Sequence, residues 1–244
     1  MSRRPKAEAE DGSLTSERAR IVAENRRRAA ELDAGRYAPW NPAERLMVDS
    51  RRRLAARLLE RAGAFPGLET PCLEVGFGSS GWLTDLLYFG VSAAHVHGVE
   101  IDASRCHGVR RRLPSARLCV ADAGRLPFTG RRFGLVVAST VLTSILEPEV
   151  QERVAGEIHR VLRPGGALLY YDFAVSNPRN PHVRGLSRRR LRELFPDLRG
   201  EVRSTTLAPP LARSVAPRSH ALATLLEALP FLRTHLLAVL LRPR

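Results

Sequence analysis

The run Leu73-Glu-Val-Gly-Phe-Gly-Ser-Ser-Gly-Trp-Leu83 constrains this chain more than any other stretch. An apolar segment, Cys72 to Val75, meets the glycines Gly76, Gly78 and Gly81, and a helical pattern follows. Some twenty residues on, a second apolar run ends in Val99-Glu-Ile-Asp102. Strand, glycine turn, helix and acid-terminated strand together make a βαβ unit. The glycines let backbone approach a ligand closely, and the acid can chelate a ribose diol. This is a cradle for an adenosine, and the turn alone does not say which adenosine cofactor it holds.

Strand and helix patterns alternate from there. Gly81 to Phe89 reads as a helix, His95 to Val99 as a strand and Ala103 to Arg112 as a helix. Leu118 to Ala121 and Leu135 to Ala138 are short apolar strands. Pro148 opens a helix with Val150, Val154, Ile158 and Val161 on one face. Gly165-Gly166 is expected to end it, before a fifth strand from Ala167 to Phe173. Such alternation predicts a parallel sheet covered on both faces, with ligands at the carboxyl ends of the strands. Upstream, Asn41-Pro42 reads as an N-cap and first helical residue, with Ala43, Met47, Leu54 and Leu58 forming a stripe. Downstream, Ser187 starts a short helix, Val202 to Leu207 reads as a strand, Ala216 to Leu229 as one helix and Leu236 to Leu241 as a final strand.

The chain of 244 residues suits one α/β domain with additions. Residues 1–40 are expected to form a flexible arm and lid helix, with residues 1 to about 15 disordered and a charged helix from Ser16 to Leu32. Residues 41–244 form the domain proper, with substrate-side insertions over 175–235. The N-terminus has no apolar core of a signal peptide. The apolar tail from His220 to Leu241 is broken by Glu227, Pro230, Arg233 and His235, which argues against a membrane span, since each central charge costs about 3 kcal/mol. Cys72, Cys106 and Cys119 have no metal-ligand spacing, so no metal is expected, and free thiols point to the cytoplasm. The net charge is +14, and residues 176–244 carry 13 basic against 4 acidic side chains. That excess suits a solvated basic face, a phosphate-bearing small molecule, peripheral contact with an anionic membrane, or RNA.

Gly76-x-Gly78-x-x-Gly81 with Glu100 also matches a dinucleotide fingerprint, so an NAD-dependent oxidoreductase stands as an alternative. Other residues favour S-adenosylmethionine. Glu74, just before the first glycine, would repel a pyrophosphate but can accept from an amino group. Asp122-Ala123 follows the third strand, placed to meet an adenine amine. The ordered series continues through Leu126-Pro-Phe, Phe133-Gly-Leu-Val-Val, Leu142-Thr-Ser-Ile and Leu162-Arg-Pro-Gly-Gly166. On these motifs, residues 42 to 175 resemble the class I S-adenosylmethionine-dependent methyltransferases of the type 11 kind. The resemblance implies a Rossmann-like, mostly parallel seven-stranded sheet with helices on both faces and the last strand antiparallel. It implies that Glu74, Gly76, Phe77, Gly78 and Ser80 line the methionine end and that Glu100 binds the ribose, with Ile101 against the adenine. Asp122 and Ala123 would meet the adenine edge, and Ser139 and Thr140 the methionine moiety or the acceptor. Phe77 is bulkier than usual, Ser80 replaces the third glycine, and Gly134 stands where an aspartate is common.

Methyl transfer is an in-line displacement that gains most from orientation. An amine acceptor needs only to be neutral, whereas a hydroxyl needs a base. The candidates are Tyr171 and Asp172 at the end of the fifth strand, His182 in the following loop, and Tyr37 in the lid. Each also has an ordinary structural reading: loop anchoring, a solvated histidine, or packing beside Trp40. No Asn/Asp-Pro-Pro-Tyr/Phe follows the fourth strand, which argues against nucleic-acid base methylation. An aromatic content of 6% offers little for base stacking, so an RNA-binding protein or RNA methyltransferase rests on charge alone. A small-molecule or saccharide acceptor, methylated on O or N, is the expectation.

Overall fold

The computed structural model describes residues 4–79, 81–178 and 180–244. Seven strands form one sheet: β1 (Cys72–Val75), β2 (Val96–Glu100), β3 (Arg117–Val120), β4 (Phe133–Ser139), β5 (Leu162–Phe173), β6 (Arg199–Leu207) and β7 (Arg233–Leu241). Their order is β3-β2-β1-β4-β5-β7-β6. The pairings from β3 through β5 are parallel, and β7 runs antiparallel between β5 and β6. This is the Rossmann-like sheet expected, with the last strand reversed.

Burial explains why these residues became strands. Every residue of β1, β2 and β4 is buried, which only a sheet covered on both faces allows. One face carries α2 (Pro42–Arg61), α3 (Leu83–Tyr88) and α4 (Ala103–Arg112), packed on Cys72, Val96, Leu135, Val137 and Leu169. The other carries α5 (Pro148–Val161) and α6 (Arg188–Leu194), packed on Val75, Val136, Leu168 and Ala238. Each fully buried leucine or valine contributes about 1.5–3 kcal/mol. The caps agree with the sequence signals: Asn41 accepts from the Ala43 and Glu44 N–H groups, and Ser187 accepts from Arg190.

The structure corrects several expectations. α1 runs from Arg4 to Glu31, so the helix expected from Ser16 begins much earlier. The run Ala7-Glu-Ala-Glu10 has high helix propensity and prolongs it. α5 stops at Val161, and Gly165-Gly166 lie inside β5, because Leu162 already pairs with Phe133 of β4. The helix expected over 216–229 is shorter, α8 (His220–Ala228), and a separate helix that was not expected, α7 (Pro209–Val215), precedes it. Pro217 and the Ser219 cap, whose hydroxyl accepts from Leu222, separate them. α7 and α8 build a third apolar cluster with Ala43, Leu46 and Leu207. No helix among the described residues is long and apolar enough to cross a membrane.

Candidate functional site

Strand register assembles the site. Cys119, Val99, Val75, Ala138 and Tyr170 stand in one row across five strands. One position further on, Glu100, Gly76, Ser139 and Tyr171 emerge together along the carboxyl rim. A cavity of about 800 Å³ opens over this rim. α1 supplies its roof through Glu17, Ile21, Glu24 and Arg28, and α2 adds Glu44, Met47 and Arg51.

The glycine turn forms one wall. Gly76, Gly78 and Gly81 all have positive φ. A Cβ on Gly81 would lie 2.0 Å from Glu74 Oε1, so glycine is what lets that carboxylate reach the turn. Glu74 is fully buried, and both its oxygens accept from the Trp82 N–H, at 2.8 and 2.7 Å. Burial pushes its carboxyl up to about 8, against the opposing pull of Trp82 N–H and the Arg51 charge. Glu100 is 4% exposed and is braced by two backbone donors, Gly78 N–H at 2.7 Å and Asp102 N–H at 3.0 Å. Each of its oxygens keeps a lone pair for a further donor. Ile101 and Ala123 line the same wall. Asp122 also lines it, and its Oδ1 accepts from Gly124 N–H at 2.7 Å. Ser139 and Thr140 close the wall. Thr140 has φ +55°, and its N–H is held by the Tyr171 carbonyl at 2.8 Å.

Phe77 contributes backbone rather than side chain. Its ring is buried among Cys72, Leu86 and Leu118 and fills the space where Gly98 has no Cβ. Ser80 lies outside the described residues. Gly134 has Thr70 and the Arg163 guanidinium against it, so an aspartate there would collide with both.

The catalytic candidates separate. Tyr171 lines the cavity but is 4% exposed, its hydroxyl is bonded to Thr206 at 2.9 Å, and burial pushes its pKa up to about 12. Asp172 is fully buried and outside the cavity. Its carboxylate is taken up by Thr143 N–H, the Thr143 hydroxyl and Phe173 N–H, so it anchors the 142–144 turn instead of facing an acceptor. His182 lies at the rim with Nε2 3.4 Å from Glu24. Tyr37 is half-exposed at the mouth and accepts from Arg28 at 2.9 Å.

Sequence reasoning missed Arg51 and His235. Arg51 lies 5.0 Å above the Trp82 ring and 5.6 Å above Tyr171. It sits in the α2 stripe between Met47 and Leu54, where a charge among apolar positions was the available signal. His235 stacks on Tyr171 with centroids 5.0 Å apart. Burial holds its pKa down, to about 3, and Arg51 adds to the effect. The imidazole is therefore neutral at physiological pH.

These residues fit S-adenosylmethionine. The buried Glu74 has no ion-pair partner among the described residues and suits a ligand ammonium. Glu100 suits a diol and Asp122 an exocyclic amine. An ionised Glu74, which a ligand ammonium would stabilise, would instead oppose a dinucleotide's pyrophosphate beside the glycine turn.

Sheet and site thus define an α/β protein that holds an adenosine cofactor at the carboxyl ends of its strands. Residues 72–166 match the family model described as a methyltransferase domain, and the chain carries a class I S-adenosylmethionine-dependent methyltransferase domain. It is 33% identical over 144 residues to the demethylmenaquinone methyltransferase of Beutenbergia cavernae, across 58% of this chain and 55% of that one. It is 32% identical over 124 residues to the sterol 24-C-methyltransferase of Schizosaccharomyces pombe, across 49% of this chain and 32% of that one. The chain thus spans a third to about half the length of these two relatives. Geranyl diphosphate C-methyltransferase of Streptomyces coelicolor A3(2), solved with Mg2+, geranyl diphosphate and S-adenosyl-L-homocysteine, shares the fold. Its TM-score is 0.59 at 16% identity, over 78% of this chain and 77% of that one.

Proposed function

We propose that the chain transfers a methyl group from S-adenosylmethionine to a small-molecule acceptor bound beneath α1. The carrying observation is the rim row Gly76–Glu100–Ser139, with Glu74 behind it, forming one wall of the cavity. The cofactor supplies a methyl carbon already activated by its sulfonium, which leaves alignment and water exclusion to the protein. In this reading Glu74 holds the ammonium, Glu100 the ribose hydroxyls, and Asp122 and Ala123 the adenine edge, with Ile101 packed on the ring. Ser139 and Thr140 border the reacting end. Thr140's positive φ, fixed by the Tyr171 carbonyl, is backbone strain kept at the rim.

The acceptor half is walled by Met47, Tyr171, Phe173 and His235. Tyr171 keeps its proton, His235 is a poor base, and Asp172 is already engaged, so the inner wall orients an acceptor and does not deprotonate it. His182, beside Glu24, is the group placed at the rim to receive a proton from an acceptor hydroxyl. Amine and hydroxyl acceptors, saccharides included, remain within this reading. The names of the Schizosaccharomyces relative and the Streptomyces neighbour add carbon as an acceptor atom. The buried thiols of Cys72 and Cys106 support a reducing, cytoplasmic setting.

Calorimetry should show saturable binding of S-adenosylmethionine and none of NAD, and the reverse would overturn the reading. Glu100→Ala should weaken cofactor binding by about 1–3 kcal/mol. Mass spectrometry of products from labelled cofactor and a host-cell extract then identifies the acceptor.

A further inference from the structure

Three guanidinium groups converge at the mouth of the cavity from three separate elements. Arg28 comes from the last turn of α1, Arg36 from the 3-10 turn Ala34–Tyr37, and Arg213 from α7. Arg28 and Arg213 line the main cavity, and Arg28 and Arg36 line a smaller hollow of about 240 Å³ beside it. Arg28 donates to the Tyr37 hydroxyl at 2.9 Å, which fixes one member of the group. Arg36 Nε is buried and has no hydrogen-bond partner among the described residues.

Of the nearby carboxylates, Glu24, Glu31 and Asp33 have hydrogen-bond or ion-pair partners of their own, and Glu24 also feels the charge of Arg28. Glu24 is shared between Arg27 and His182, and Glu31 pairs with Arg27. Asp33 accepts from Gly35 N–H. Glu44, half-buried at the start of α2, faces both Arg51 and Arg213 and cannot neutralise both. None of Arg28, Arg36 and Arg213 makes an ion pair among the described residues. Arg213 is half-buried, and desolvation together with the like charges of Arg36 and Arg28 lowers its pKa. Like charges held together at a partly desolvated mouth are costly unless an anion joins them.

We infer that Arg28, Arg36 and Arg213, with Tyr37, form a subsite for a phosphate or diphosphate ester group on the acceptor. The charge count selects this class. A carboxylate compensates one arginine, whereas a phosphate carries close to two negative charges and oxygens enough for several planar forks. The inference rests on the proposed methyl transfer for the role of the bound group, since the subsite and the glycine wall open on the same cavity. Held at the α1–α7 end, such a group would direct the remainder of the acceptor inward, toward Met47, Phe173 and the Ser139–Thr140 rim.

The test uses the full chain and inorganic diphosphate as the probe, followed by calorimetry. One saturable site per chain is expected, and Arg213→Gln and Arg36→Gln should each weaken it about tenfold. Arg189→Gln, which removes an exposed arginine of α6, should leave it unchanged and controls for general charge. S-adenosylhomocysteine titrations of the same variants should match the parent, which also shows that they are folded. Absence of diphosphate binding, equal binding by the Arg213 and Arg36 variants, or equal weakening by Arg189→Gln would overturn the subsite. Failure of S-adenosylhomocysteine to bind the parent chain would overturn the methyltransferase reading and leave the diphosphate result to decide the subsite on its own.

Discussion

Glu74 occupies a position on β1 where both neighbours, Leu73 and Val75, are fully buried core residues. Its carboxyl titrates near 8 against an ordinary value of 4.5, so the free protein holds it largely protonated at neutral pH. Between those values the folded state binds a proton that the unfolded chain releases. The contribution of Glu74 to stability is therefore full below about pH 4.5 and falls as pH rises toward about 8. A ligand ammonium favours the carboxylate and reverses this, so cofactor binding near neutral pH should expel a proton. Calorimetry in buffers of differing ionisation enthalpy should detect that proton in the parent and lose it in Glu74→Gln. The variant should melt no lower than the parent at alkaline pH, and its cofactor affinity should fall about 10–100-fold. Proton release that persists in Glu74→Gln would assign it to another group. A second residue pair carries a packing prediction. A Cβ on Gly98 would lie 2.6 Å from the Phe77 ring and 2.8 Å from Leu118. Gly98→Ala should cost about 1–3 kcal/mol in denaturant melts, and Phe77→Leu in that background should restore part of it. Additive losses would show that the two do not share the space.

α1 is an element whose position no local pattern reveals. Glu17 is 4% exposed, pairs with Arg20 at 2.8 Å and accepts from the Leu146 N–H, while Arg20 donates to the Ser144 carbonyl. One ion pair thereby ties the roof to the loop before α5, more than a hundred residues away in sequence. Glu17→Ala removes the carboxylate that orients Arg20 and leaves the Leu146 N–H without its acceptor, while Arg20 keeps its own bond to the Ser144 carbonyl. Trypsin cleavage within residues 18–36 should accelerate at least about tenfold while the melting temperature of the body moves by only a few degrees. Unchanged cleavage would mean that the packing of Ile21 and the remaining polar links of Arg20 and Glu24 hold the helix without Glu17. Elements that carry their own signal were legible in the sequence. β1 and α4 fall on the residues read from it, since burial on both faces writes an apolar run broken in β1 only by Glu74, and Asp102 caps its helix. The start of β5 was not legible, because residues 162–166 join the sheet by backbone pairing and carry mostly polar or glycine side chains. The start of α8 was written in Pro217 and the Ser219 cap but was outweighed by an apolar pattern that begins at Ala216, and α7 lies wholly upstream of the helix read there. Likewise the glycine-turn wall of the cavity gathers residues picked out by motifs at strand ends, whereas Arg51, His235 and the α1 roof reach the cavity only through tertiary packing.

At the scale of the whole molecule, the acids of the sheet rim and the arginines that lack ion pairs stand apart, the latter at the mouth of the cavity and the hollow beside it. The sheet rim presents Glu74, Glu100 and Asp122, while α1, the 3-10 turn and α7 present Arg28, Arg36 and Arg213. The chain as a whole carries +14, with most of the excess in residues 176–244, which include α7. A cationic field of this kind draws an anion toward the mouth and does nothing for a cofactor that bears an ammonium and a sulfonium. The two ligands should therefore respond differently to salt. The mouth is open to solvent, so its arginines lie within reach of mobile counterions. Glu74 and Glu100 are buried and bound to backbone N–H groups, which shields their contacts from screening. Raising potassium chloride from about 20 to about 300 mM shortens the screening length from roughly 20 Å to below 6 Å. Diphosphate affinity should then fall at least about tenfold, and S-adenosylhomocysteine affinity by less than about twofold. Equal loss of both would mean that the cavity is screened as one site and that the arginines do not form a separate end. Loss of the diphosphate alone would show that the fold keeps donor and acceptor apart, with buried acids at the sheet rim serving one and arginines without ion pairs at the mouth serving the other.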